Sequence, residues 1–186
     1  MNITQQTKFA RRRFPLDGAL RIIPFGGLGE VGRNMTVIEY NDDILVLDMG
    51  FRFPEENMPG IDYIIPNVHY LEDKKDKIRA LIISHGHYDH IGAIPYLIGK
   101  IGNPIIYTAP LTAGIIRKRS EDFPGHPKLK IIMVKDGDLV TLGSMTVEFF
   151  HVNHNIPDDL GVRFRTPVGT IISTSDFKID PNPVHD

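Results

Sequence analysis

Apolar positions along the chain fall into short blocks with two different spacings. Leu20-Arg21-Ile22-Ile23-Pro24-Phe25, Met35–Tyr40 and Ile44–Leu47 are rich in β-branched residues. Glycines and the turn-forming Asn41-Asp42-Asp43 part them, which predicts three strands in succession. Ala80-Leu81-Ile82-Ile83 is unbroken and predicts a central strand. Beyond it the spacing lengthens: Ile91, Ile94, Leu97, Ile98 and Ile101 fit one helix with Pro95 in or near its first turn. A short helix around Val68–Lys75 and another from Thr112 to about Asp122, with Ile115 and Ile116 inward, complete the helical part.

Further strands are predicted at Pro104–Tyr107 and Lys130–Val134. Leu139–Leu142 and Met145–His151 read as a hairpin around Gly143-Ser144, and Gly161–Thr166 with Thr170–Thr174 as another around Pro167-Val168-Gly169. Phe51–Pro66, with Pro54, Pro59, Pro66 and Gly60, reads as an ordered loop. The whole suggests an α/β (α+β) domain over residues 19–186, a mixed sheet with helices on one face, after a flexible lead-in over residues 1–18.

Composition narrows the class. At 186 residues, 41% hydrophobic and 24% charged, the chain can bury a core as one domain. The net charge of -2 gives no overall basic footprint, so a nucleic-acid contact would be local. Basic groups do gather at Lys8 with Arg11–Arg13, at Lys74, Lys75 and Lys77, and at Arg117–Arg119; a solvated face is the preferred reading of each. There is no cysteine, hence no disulfide and no thiolate ligand. Neither a secretory signal nor an apolar run long enough to span a membrane is present, so the cytoplasm is the expected location.

Two stretches invite chemistry. Gly27–Gly32 spells G-x-G-x-x-G after a strand, but the β-branched Met35–Tyr40 stands where a dinucleotide-binding unit needs a helix. The glycines then serve a close backbone approach. The stronger signal is Ser84-His85-Gly86-His87-Tyr88-Asp89-His90, where His85, His87, Asp89 and His90 follow a strand end within six positions. Imidazole with carboxylate and no thiolate is the donor set of a catalytic zinc or a similar borderline metal. His85 and His87 can aim at one ion, Asp89 and His90 at a second.

His154 and Asp176 also follow strand ends, and strand ends meet at one rim of a sheet. His151 competes with His154 but sits within a strand, so His154 is preferred. Asp48, ending the third strand, is either a turn former or a partner that fixes a metal-bound histidine. His69, His126 and His185 are assigned nothing.

The pattern His85-x-His87-x-Asp89-His90, with His154 and Asp176, resembles the metallo-β-lactamase superfamily. Phe25–Met35, Pro59–Asp62, His85–Leu97, Asn153–Asp158 and Asp176-Phe177-Lys178 resemble its ribonuclease J branch. The resemblance implies an αββα sandwich, incomplete in this chain, with a dinuclear zinc site (manganese being the alternative) between two sheets. It places His85, His87 and His154 on the first ion, Asp89 and His90 on the second, and Asp176 between them. Asp89 and Asp176 would be catalytic, and Asp48 would give a supporting hydrogen bond. The implied reaction is hydrolysis of RNA, as exonuclease from a 5′-monophosphate end, endonuclease or both. The implied partners are RNA and, in full-length members, further copies in a homodimer or larger assembly, with no membrane.

Two departures stand out. Ser175 occupies a position where the family usually has Gly. The family's β-CASP and C-terminal domains, and a last histidine for the second ion, match nothing in this chain. A weakly active or inactive fragment with an uncovered apolar sheet face is therefore expected. Two alternatives stay open: a hydrolase of thioesters or lactones on the same fold, and a non-catalytic metal-binding scaffold.

Overall fold

The computed structural model describes residues 18–183. Residues 1–17 of the expected 1–18 lead-in, and His185, lie outside the described residues. Three strands open the chain, β1 (Leu20–Gly26), β2 (Met35–Tyr40) and β3 (Asp43–Leu47), paired antiparallel in sequence order. β4 (Ile78–Ile82), β5 (Ile106–Thr108) and β6 (Ile131–Met133) then add in parallel, giving a mixed six-stranded sheet. Parallel neighbours need crossovers. These carry α1 (His69–Glu72), a 3-10 turn at Lys75–Lys77, α2 (Tyr88–Ile91), α3 (Ile94–Leu97) and α4 (Pro110–Ser120).

Successive residues of the central strands point to opposite faces, and both faces are covered. Ile44, Val46, Leu81 and Ile83 pack with Leu71, Ile91, Ile94, Leu97 and Ile116 on the helical side. Leu45, Leu47, Ala80 and Ile82 pack on a second sheet. Burial from two sides is why β3 and β4 read as unbroken apolar runs. The second sheet, β7 (Leu139–Leu142), β8 (Met145–His151), β9 (Leu160–Thr166) and β10 (Gly169–Ser173), is antiparallel in the order β10-β9-β8-β7. Its alternation is one-sided: Met145, Val147, Phe149, Val162 and Phe164 are buried against the first sheet.

The expected uncovered apolar face is corrected by this arrangement. The apolar face of the second sheet is the buried one. Its outer face carries Glu148, to which Arg163 and Arg165 donate at 2.9 and 2.5 Å, with Leu139 and Ile172 as exposed apolar residues.

The hairpin β7–β8 is tied to the first sheet by Asp43. Its Oδ2 accepts from the Ser144 backbone N–H at 2.6 Å and from the Ser144 hydroxyl at 2.7 Å, while Arg79 donates to Oδ1. Gly143 (φ +62°) lies so close that a Cβ there would fall 2.2 Å from the Asp43 carboxyl.

Two helices differ from expectation. The helix read through Ile91–Ile101 is two short pieces, because Gly92 packs under Phe51, where a Cβ would lie 2.1 Å from the ring, and Ala93 donates its N–H to Met49 O. α1 stops at Glu72 because Leu71 is its only buried side chain and charged residues follow. The cluster at Lys8 and Arg11–Arg13 lies outside the described residues; in the other two, Lys74 pairs with Glu39, Lys77 with Asp42 and Lys118 with Glu121. Arg119 instead turns inward over the rings of Tyr88 and Phe123. No helix among the described residues is long and apolar enough to cross a membrane.

Candidate metal centre

The loop after β4 carries four potential ligands, and two neighbouring segments brace it. Asp48 to Phe51, continuing β3, runs along it: Met49 N–H donates to His90 O at 2.8 Å and Phe51 N–H to Tyr88 O at 3.2 Å. Gly50 makes this approach possible, since a Cβ would sit 1.5 Å from Asp89 O. The glycine loop is the second brace. It leads into strand β2, not a helix, so it is no dinucleotide-binding unit. Gly26 and Gly27 fold back where a Cβ would strike Arg33 O and Asn34 Oδ1. Glu30 holds the turn by accepting from Gly27 N–H and from Arg33 and Arg52. The result is Asn34 over the ligand loop, its N–H donating to Asp89 O at 3.0 Å and its Nδ2 to Asp89 Oδ2 at 3.2 Å.

Donor atoms from three strand ends, those of β4, β8 and β10, converge above this platform. His85 Nε2 lies 2.9 Å from His87 Nδ1, which lies 3.3 Å from His154 Nε2. A tetrahedral zinc with bonds of about 2.0–2.1 Å sets its nitrogen ligands about 3.3 Å apart, so the spacing fits one ion. Three ring nitrogens facing one point cannot satisfy one another by hydrogen bonds alone; a cation suits all three. A second group, His85, His90 and Asp176, also has its donors within 4.8 Å of one another. Asp89 adds to its edge, Oδ2 being 3.4 Å from His90 Nε2. Asp176 faces both groups, with Oδ1 3.6 Å from His90 Nε2 and Oδ2 3.9 Å from His154 Nε2.

Asp48 lies beneath, buried, with a left-handed backbone (φ +59°). Its Oδ1 accepts from Ser84 N–H at 2.9 Å, and His90 Nδ1 lies 2.8 Å from Oδ2. His90 thereby keeps Nε2 free for the cluster.

Charge follows the geometry. Burial pulls the His85 imidazole down to about 4, and the His90 cation adds to this, so His85 is neutral and able to ligate. Burial opposes a charge on His90 too, but Asp48, Asp176 and Asp89 outweigh it and push the group up to about 12. His90 thus carries a positive charge inside the cluster, where a bound cation would displace its proton. The hydrogen bond from His90 draws Asp176 down to about 2. Burial lowers His154.

Asp159 was not singled out by sequence reasoning. It has no exposed surface, its Oδ2 is 3.5 Å from His85 Nδ1, and burial followed by the charge of Asp48 pushes its carboxyl up to about 7. Asn34 and Ser84 were likewise missed as braces. Only the Asp158-Asp159 doublet before a strand hinted at the first, and it reads as turn chemistry; Asp158 (φ +65°) does make that turn. His151 is exposed at the end of β8; it, His69 and the half-buried His126 lie outside both donor groups.

The fold and this rim of histidines and carboxylates define a class. The family model described as the metallo-beta-lactamase superfamily matches residues 28–181, and the chain belongs to that superfamily. Within it, the chain is similar to ribonuclease J. It is 47% identical to "Ribonuclease J" of Thermus thermophilus over 173 residues, covering 89% of this chain and 30% of that one. It is 42% identical to "Ribonuclease J 1" of Streptococcus pyogenes, covering 89% and 29%. The chain therefore spans under a third of the length of these relatives. Among solved structures, the metallo-beta-lactamase fold protein YhfI of Bacillus subtilis superposes with a TM-score of 0.56 at 22% identity, covering 83% of this chain and 60% of that one. A protein of unknown function from Enterococcus faecalis gives 0.68 at 21% identity, covering 86% and 44%. These two likenesses concern the fold.

Proposed function

We propose that this chain holds two divalent cations, zinc or manganese, and contributes them to hydrolysis of RNA phosphodiesters in the manner of a ribonuclease J. The observation that carries the reading is the meeting of His85, His87, His154, His90, Asp89 and Asp176 from three strand ends, with Asp176 turning one oxygen to each donor group. His85, His87 and His154 would hold one cation; His90 and Asp89 the other; Asp176 would bridge. Cations so held supply Lewis acidity toward a phosphodiester oxygen and lower the pKa of water.

The chain's own residues do the rest. Asp48 and Ser84 orient the His90 and His85 rings, Asn34 restrains Asp89, and the neutral state of His85 removes any proton competing for the ion. Beside His87 a cleft of about 1,020 Å³ is lined by Val31, Phe51, Phe53, Tyr88, Ile115 and Ile156 among others. Phe53 and Tyr88 are 68% and 43% exposed, and such rings offer faces for unpaired bases to stack on.

The same cleft favours one second reading, a hydrolase of small substrates with an apolar tail such as thioesters or lactones, because most of its lining is apolar. One experiment separates them. The purified chain is titrated with zinc, then given 5′-monophosphorylated RNA and, separately, acyl thioesters. Bound zinc with RNA cleavage that His87→Ala abolishes is the expected result. Thioester turnover without RNA cleavage selects the second reading, and no bound zinc refutes both.

A further inference from the structure

Asp159 takes no part in the chemistry above, yet it is a carboxylate without exposed surface, and neither oxygen has a hydrogen-bond partner among the described residues. A buried charge persists in a fold where something compensates it. Its nearest counterpart is His85 Nδ1, 3.5 Å from Oδ2. His85 has two ends with different surroundings. Nε2 faces the donor cluster, whereas Nδ1 is ringed by Ser84 Oγ at 3.1 Å, Ser175 Oγ at 3.2 Å and Asp159.

Ser84 gives its one proton to Asp48, whose oxygens lie 3.0 and 3.1 Å from its hydroxyl, so toward His85 Nδ1 it can only accept, which likewise calls for a proton on Nδ1. Ser175 has a left-handed backbone (φ +54°), a conformation that glycine adopts at no steric cost. What a serine adds there is its oxygen, and that oxygen points at His85 Nδ1.

We infer that Asp159 is the buried counter-charge that, beside the Ser84 and Ser175 hydroxyls, keeps the proton of His85 on Nδ1 and so fixes Nε2 toward a divalent cation. It is a positioning residue, and the assignment rests on the metal-site reading above. A carboxylate in this role has a split effect. Without the cation the carboxylate is buried with no hydrogen-bond partner among the described residues; with the cation that charge is compensated through His85.

The test compares the full chain with Asp159→Asn, which keeps the shape and removes the charge. Zinc affinity is read by competition with a chromophoric chelator at pH 8, and thermal unfolding is followed on metal-free protein. The variant should bind zinc about 10–100-fold more weakly, while its metal-free melting temperature stays equal or rises. A merely structural aspartate would instead lower that temperature. Zinc affinity within twofold of the parent chain overturns the inference, and a parent chain that binds no zinc removes the metal-site reading first. Should the variant not fold, nitrogen-15 NMR of the zinc-loaded parent chain decides. His85 protonated at Nδ1, with that proton slow to exchange, is expected; a ring protonated at Nε2 overturns it.

Discussion

At the scale of single residues, Gly50 sets the position of the whole ligand loop. Any side chain there would occupy the space of Asp89 O, so Gly50→Ala must push apart the two segments that hold His90 and Asp89. Overpacking against backbone, which cannot rotate away, is expected to cost about 3 kcal/mol or more. Urea unfolding should register that loss, together with a fall in zinc stoichiometry; a variant as stable as its parent would contradict the packing described. Most donors were legible in the sequence. His85, His87, Asp89, His90, His154 and Asp176 are ligand types standing beside strand ends, and strand ends are readable from β-branched runs. Asp159 was not, for a physical reason. Two adjacent aspartates before a strand both look like turn formers, and only the pleat of β9 decides that the second points inward toward His85.

Between elements, the link that matters most is Asp43, which joins the β3–β4 edge of one sheet to the β7–β8 turn of the other. Burial alone would raise its carboxyl, but hydrogen bonds from Ser144 and Arg79 prevail and hold it below its ordinary value of 3.8. A depressed carboxylate stabilises the fold above its unfolded value, and the contribution fades as pH falls through the folded one. Asp43→Ala is therefore expected to lose about 1–2 kcal/mol at pH 7, with the gap to the parent chain narrowing below pH 3.8. Urea midpoints at the two pH values measure this, and a gap independent of pH would show that the carboxylate charge is not what ties the sheets. The positions of the strands along the chain followed from local pattern, and Met35–Tyr40 is a strand as its β-branched residues predict. The break between α2 and α3 did not. It is imposed by Phe51, far away in the chain, pressing on Gly92, and no local periodicity encodes that contact.

For the molecule as a whole, the proposed ligands belong to both sheets: His85, His87, Asp89 and His90 follow β4, whereas His154 and Asp176 follow β8 and β10. A cation bound across that seam should stabilise the native state by mass action, about 2.7 kcal/mol at a hundred times its dissociation constant. For a chain of this size that corresponds to a rise of about 5–10 °C in melting temperature. Scans with zinc and with a chelator test it, and coincident curves would mean that zinc does not bind the native state across the seam. The same distribution has a consequence for how the protein is made. His85 and Ser175, the neighbour of Asp176, are 90 residues apart in sequence, and a ribosome adds about 5–20 residues per second. For roughly 5–20 s, then, a growing polypeptide displays its first histidines without the aspartate that completes their grasp. On the proposed ligand set, ion capture at full strength would have to wait until β10 and the Asp176 that follows it have cleared the exit tunnel.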